Sequence, residues 1–315
     1  MDFKEKNKKD SAYVDSRLKQ SYYNSLSWLN TNLEYFSPIS KDGNYDWFKL
    51  KCFAEFSLVY AFLKGNMKLP FNKHLLIWEK FLLNHCKERT FAMRAGNTYS
   101  GGNYFYILPY LMLRSAGHHS EYHDQIIKKL IKWGYFQSKE LLPFRDLEID
   151  YTLWKSGLIT CEPDWEKWYK TTVLANFKHP LFFNKESAYA ITHTIFYLTD
   201  FGNKLMPISY KEHKRVTEVV EYLLFHYWRI GNWDLTGELL ISLNYLGKAE
   251  SIIYKEAARV FRLNWNNTGY FPPNKEYQNL STKENYEKDL IFKRCYHTTL
   301  VAVLYAASEI KVTCE

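Results

Sequence analysis

The chain has 315 residues, 46% of them hydrophobic and 18% aromatic, so it can bury one large core. Its net charge is +8, with basic residues dispersed apart from Lys4, Lys6, Lys8 and Lys9, and no basic stripe carries interleaved aromatics, which argues against a nucleic-acid partner. Five cysteines (Cys52, Cys86, Cys161, Cys295 and Cys314) without a Cys-x-x-Cys, a charged N-terminus and no long apolar run point to a cytoplasmic protein, away from secretion and membranes.

Residues 1–11 read as a flexible basic tail, and residues 12–315 as a single all-α domain. A first helix is predicted from Tyr13 to Phe36, with Ser11 as N-cap. Asp46 caps a second, Trp47 to Lys64, closed by Gly65. Pro70 marks the next start, and a third helix runs from Asn72 to Lys87. The loop Asn97 to Asn103 leads into Tyr104–Ser115, closed by Gly117. Helices follow at His123 to Gly134 and at Asp146 to Lys155, the latter closed by Gly157, and Pro163-Asp164 opens another.

The central stretch runs from Glu186 to Gly202 and carries no formal charge between Ser187 and Thr199. At helical spacing Ala188, Ile191, Ile195 and Leu198 form an apolar row. Glu186, Tyr189, His193, Tyr197 and Asp200 form a row of hydrogen-bonding groups. Beyond it come Tyr210 to Trp228, a turn at Ile230 to Asp234, Leu235 to Leu246 closed by Gly247, and Lys248 to Arg262. Asn264 to Ser281 is a long loop, and a last helix starts near Asn285 or Leu290 and ends at Ile310. Strand signals are almost absent.

The stop glycines Gly65, Gly117, Gly157, Gly202 and Gly247 are separated by 52, 40, 45 and 45 residues. A period of that length with two helices per unit predicts stacked helical hairpins. The pairing of a charged helix (Lys211 to Glu221) with an uncharged one (Ala188 to Thr199) favours an α/α toroid of about six hairpins.

Uncharged helices that still carry imidazole, phenol and carboxylate predict a polar cavity. His193 shares its face with Tyr189 and Tyr197. Asp234 reads as an N-cap or as half of a carboxylate pair with Glu238, four residues on. His297 sits in Cys295-Tyr-His-Thr-Thr-Leu-Val301, where lysine or glutamate would be expected on a surface. His193, Asp234 and His297 form a candidate three-ligand set for a divalent metal such as zinc or iron, or a set of acid–base groups. Tyr189, Tyr197, Asp200 and Trp233 are candidate substrate contacts, with Tyr189 and Asp200 orienting His193. Arg145, with Glu148 or Asp150, reads as a structural ion pair.

The stretch Thr192-His-Thr-Ile-Phe-Tyr-Leu-Thr-Asp-Phe-Gly202 and the later Tyr296-His-Thr-Thr-Leu-Val301 resemble a bacterial family of unknown function. That family is common in actinomycetes and often encoded beside natural-product biosynthesis genes. Pro143 to Tyr151 and Asp234 to Leu240 are similar to it as well, so the resemblance spans about residues 130 to 305. The family brings no established reaction; the expectation drawn from the candidate residues is a tailoring step on a peptide or natural-product intermediate in a central aromatic-lined cavity, by acid–base or metal-assisted chemistry, with a small-molecule or peptide substrate and biosynthetic partner proteins. At the level of fold the hairpin pattern is similar to lanthionine cyclases, prenyltransferase β-subunits, class II terpene cyclases and hairpin glycosidases, but their ligand and acid motifs are missing. A non-catalytic peptide-binding repeat and a glycosidase-like hydrolase are the alternatives.

Overall fold

The computed structural model describes residues 3–66, 72–99, 102–177, 179, 183–277 and 288–310, with the side chains of the first helix from Ser16 onward. Pro70, Ser100, Gly101, Asn285, Cys314 and the side chains of Lys4, Lys6, Lys8 and Lys9 lie outside the described residues. Within them the chain is all-α. Its helices are α1 Phe3–Thr31, α2 Trp47–Gly65, α3 Lys73–Cys86, α4 Arg89–Ala95, α5 Tyr104–Ser115, α6 Glu121–Lys132 and α7 Pro143–Lys155. They continue with α8 Trp165–Thr171, α9 Val173–Asn176, α10 Lys185–Leu198, α11 Tyr210–Ile230, α12 Trp233–Tyr245, α13 Ile252–Leu263 and α14 Lys288–Glu309. No strand occurs among the described residues, only the isolated bridges Ile39–Tyr45 and Asn232–Asn274.

Side-chain caps set the starts. Asp46 accepts from Lys49 N–H at 2.9 Å, Asp164 from Lys167 at 3.0 Å, Asn184 from Ser187 at 2.8 Å and Ser251 from Tyr254 at 3.2 Å. Gly117, Gly157, Gly202 and Gly247 all lie in the left-handed region after their helices, as the spacing predicts, whereas Gly65 is the last residue of α2.

Several boundaries differ from the sequence expectation, each for a local reason. α1 begins at Phe3 and runs through Ser11, because lysine is a good helix former and nothing in the lead-in breaks the helix. The helix stops at Thr31, and Leu33–Phe36 is a separate 3-10 turn. α4 and α9 were not expected; each is shorter than two full turns, too short for an apolar period to register. α13 starts at Ile252 because Ser251, not a residue near Lys248, holds the cap.

The chain gathers into two compact units. The first comprises Met1–Asn32, Met67–His74 and Val220–Glu315, and the second Leu33–Asn66 and Leu75–Val219, so boundaries fall inside both α3 and α11.

In the second unit α2 packs on α5, α5 on α7 and α7 on α10, with shorter helices between them in the chain. The core of this unit is aromatic: Phe36 stacks on Phe56 at 4.5 Å, Phe56 meets Trp78 at 4.7 Å, and Phe53 meets Phe91 at 5.8 Å. In the first unit α12 packs on both α13 and α14, and α14 on α1. There Phe261 stacks on Phe271 at 4.3 Å and meets the buried Tyr305 edge-on at 5.2 Å.

Candidate functional site

In the second unit the two rows of α10 separate as the sequence suggests. Ala188, Ile191, Ile195 and Leu198 are buried, while Tyr189 and His193 are partly accessible. The His193 ring is set among aromatics: edge-on to Phe144 at 5.8 Å and to Tyr197 at 6.2 Å, and stacked near Phe196 at 6.0 Å. Tyr189 receives Lys185 over its ring face at 5.7 Å. Tyr197 is buried, and burial, then the Glu148 charge and hydrogen bond, push its phenol well above the usual range.

Glu148, from α7, accepts from Arg145 Nη1 at 2.7 Å, which is the structural ion pair expected there. Burial pushes the neighbouring Asp150 carboxyl up, and Trp168 donates its indole N–H to Asp150 at 3.0 Å. Tyr104, also raised by burial and by Glu148, hydrogen-bonds Thr152 at 2.9 Å.

Asp200 does not orient His193. The helix ends at Leu198, and Asp200 and Phe201 take the left-handed region with φ of 47° and 52°. That turns Asp200 off the helical row. Its carboxylate accepts from Tyr151 Oη at 2.7 Å and from Lys155 Nζ at 2.7 and 2.8 Å. A left-handed non-glycine residue costs about 1–2 kcal/mol. Three charge-assisted hydrogen bonds on one buried carboxylate offset that cost.

In the first unit the acidic pair and the late histidine do meet. Asn232, not Asp234, caps α12, its Oδ1 accepting from Leu235 N–H at 3.1 Å. With the cap filled by its neighbour, Asp234 sits in the first turn with its carboxylate available to α14. His297 Nδ1 lies 2.8 Å from Asp234 Oδ1, and Thr298 Oγ1 donates to the same oxygen at 3.0 Å. Glu238, one turn along α12 and 2% exposed, completes the group. Ligand atoms of Asp234, Glu238 and His297 all lie within 4.8 Å of one another. The His297 side chain is 30% exposed and that of Asp234 13%, so the histidine is the accessible member.

Two residues that sequence reasoning missed make this approach possible. Gly237 lies on the α12 face toward α14, where an added Cβ would stand 2.6 Å from Val301 Cγ1 and 3.0 Å from Phe261 Cζ. A mid-helix glycine is unfavourable by itself, and its signal was visible between Asp234 and Glu238. Thr298 is the other; the threonines beside His297 had been noted as out of place on a surface. Thr299 accepts from Phe271 N–H at 2.9 Å and ties the loop after α13 to α14. Trp233, a candidate substrate contact, is 1% exposed, and its backbone N–H donates to Pro273 O at 2.9 Å. The three-group set that gathers is therefore Asp234, Glu238 and His297. His193 belongs to the other unit and its own aromatic surroundings.

Fold and cluster together give an all-α protein in which two carboxylates and an imidazole converge. The chain belongs to the family described as Domain of unknown function (DUF6895), whose model matches residues 22–307. The match is wider than the sequence resemblance and takes in every candidate residue. No curated protein and no solved structure matches the chain. No helix among the described residues is long and apolar enough to cross a membrane.

Proposed function

We propose that the chain is an enzyme that moves protons at Asp234, Glu238 and His297 on a small-molecule or peptide intermediate. The observation that carries this reading is the 2.8 Å contact between His297 Nδ1 and Asp234 Oδ1. A carboxylate can only accept, so the proton sits on Nδ1. The Nε2 lone pair is then the basic one, on the most accessible member of the group. Asp234 fixes the tautomer and stabilises the imidazolium formed when Nε2 takes a proton. Thr298 holds the carboxylate in place from its other side. Glu238 supplies a second carboxyl for returning a proton.

The close grouping within 4.8 Å, with an imidazole among the carboxylates, suits this better than glycoside cleavage. The latter needs two carboxyls roughly 5–10 Å apart across a sugar. A natural-product tailoring step in the cytoplasm is the setting we propose. Cys52, Cys86, Cys161 and Cys295 are all free thiols, in keeping with a reducing compartment. Ring closure of the helix array stays an expectation of the spacing, and this chemistry does not require it.

The test has two parts. In ¹⁵N-labelled protein, His297 is expected as the Nδ1–H tautomer at neutral pH, shifting toward Nε2–H in Asp234→Asn. Against a panel of peptide and natural-product intermediates read by mass spectrometry, turnover is expected from the wild type and not from His297→Ala. A wild-type Nε2–H tautomer, or turnover that survives His297→Ala, rules the reading out.

The donor set supports a second reading, a divalent metal held by the same three groups. One imidazole and two carboxylates suit zinc, iron or manganese, and the bound ion would acidify a water. Metal analysis of protein purified without chelator tests it: one equivalent in the wild type and none in Asp234→Ala/Glu238→Ala supports it, and a metal-free wild type that fails to take up zinc, iron or manganese removes it.

A further inference from the structure

The first unit carries another pocket whose chemistry is unrelated to the acid–base cluster. Arg17, Leu18 and Ser21 of α1 face Arg262, Leu263 and Trp265 at the end of α13 around a volume of about 150 Å³. Arg259 also borders it, but its guanidinium is already paired with Glu256 at 3.1 Å. Arg17 and Arg262 meet no carboxylate among the described residues. Arg262 gives only its Nε, to Ala258 O at 3.1 Å, and keeps its terminal nitrogens. Trp265 has its indole N–H committed to Ser25 Oγ at 2.8 Å, so it offers the pocket an apolar surface and no donor. Edge contact with Phe271 at 5.4 Å holds the ring.

Two guanidinium groups that meet no carboxylate among the described residues, bordering an apolar recess, select an anion with an apolar body. The recess sets the size of that body, since a cavity of about 150 Å³ accommodates benzene and not a long acyl chain. The planar fork of arginine matches a carboxylate with two parallel hydrogen bonds. We propose that this pocket binds a carboxylic acid bearing one apolar group of phenyl size, its carboxylate on Arg17 and Arg262 and its apolar group between Leu18, Leu263 and Trp265. Such an acid is either free or the C-terminal residue of a peptide. Neither Asp234 nor His297 takes part, so this site stands or falls independently of the acid–base reading.

Calorimetric titration of the full chain with 3-phenylpropionate, 3-phenylpropanamide and Gly-Gly-Phe, with its C-terminus free or amidated, tests the proposal. The acid is expected to bind saturably, and the amide about tenfold or more weaker. Arg17→Gln/Arg262→Gln is expected to lose about tenfold or more in affinity for the acid, and Arg259→Gln less than about threefold. Leu263 is 57% exposed, so Leu263→Glu is a second variant that folds while placing a repelling charge at the rim; it too should lose about tenfold or more in affinity. His297→Ala should bind as the wild type does. Binding of the free-ended peptide assigns the acid to a chain terminus, and its failure while phenylpropionate binds assigns it to a free metabolite. Equal binding of acid and amide, wild-type affinity in the double variant, or no binding of acid or peptide up to about 10 mM would overturn the site.

Discussion

Both units bury carboxylates, and they hold them with different partners. In the second unit Glu148 lies 2.7 Å from a guanidinium and Asp200 lies 2.7 Å from an ammonium. In the first, Asp234 lies 2.8 Å from an imidazole and 3.0 Å from a hydroxyl. Arginine and lysine keep their charge at any physiological pH, so the pairs of the second unit are fixed. Imidazole as a group exchanges its proton near neutrality, and the proposed acid–base role of the first unit's pair draws on that difference. An acidic residue on an otherwise uncharged helix is thus two different things, and what distinguishes them is the group on the facing helix.

The largest expected effect tests that distinction directly. His297→Ala and Asp234→Asn should each lower turnover by about a hundredfold or more. Arg145→Gln, which removes the fixed partner from Glu148, should leave turnover within about twofold. If Arg145→Gln is the variant that abolishes the proposed turnover, the assignment of fixed and mobile charge is reversed. Rates from single-turnover mass spectrometry decide it.

The histidines sharpen the same contrast through pH. His123 of the second unit is 3% exposed, stacks on Tyr110 at 4.4 Å and hydrogen-bonds Ser120 through Nδ1 at 3.1 Å. Its Nε2 is buried and meets no acceptor among the described residues. Burial lowers its pKa to about 4, with the Asp124 charge opposing. Between that value and the ordinary one near 6.5 the unfolded chain binds more protons than the folded one, so stability rises with pH across this window. Stability is complete above about pH 6.5 and falls by about 3 kcal/mol on acidification to pH 4. Thermal melts across that range should show the slope, and His123→Phe should flatten it while His297→Ala leaves it in place.

The fixed pair itself should count in stability rather than rate. Glu148→Gln removes the charge that Arg145 meets and that raises Tyr104 and Tyr197. A loss of about 2 kcal/mol is expected in chemical denaturation, held to that size because Arg145 keeps 49% of its side chain exposed and solvent screens the pair. The isosteric Asp234→Asn should cost less than this. The reverse order would mean that the imidazole pair is the structural one.

Much of the fold was legible because it is written in local signals. The stop glycines, the caps at Asp46 and Asp164 and the 3.6-residue apolar rows are set by neighbours in sequence, and the all-α class follows from them. The site was legible only in its parts. Asp234, Glu238 and His297 were each out of place as surface residues, and that marked them. Their grouping without His193 was not legible, because the partner of a side chain on one helix is chosen by which helix packs against it. Asp200 shows the same limit: its helical phase pointed to His193, but two left-handed residues at the end of α10 redirected it to Tyr151 and Lys155. Asn232 was the cap in place of Asp234 because either could fill that role, and only the backbone angle at the helix start decides between them.

The smallest expected effect concerns what brings the imidazole and the carboxylate together. Gly237→Ala gains about 1 kcal/mol in helix propensity, so on the local rule it should stabilise α12. Against that, the new Cβ would stand 2.6 Å from Val301 Cγ1 and 3.0 Å from Phe261 Cζ. Neither neighbour yields easily: valine is restricted at χ1, and the Phe261 ring is stacked on Phe271 at 4.3 Å. Overpacking of this kind costs about 1–3 kcal/mol, so a net destabilisation of about 1 kcal/mol remains. The cost should fall on the α12–α14 spacing, and therefore on the Asp234–His297 hydrogen bond, visible as a mixed His297 tautomer in the ¹⁵N spectrum. Val301→Ala in the same chain removes the nearer obstacle and should restore the tautomer. A Gly237→Ala variant that is more stable than the wild type, with His297 unchanged, would show that the two helices are held at their distance by something other than this glycine.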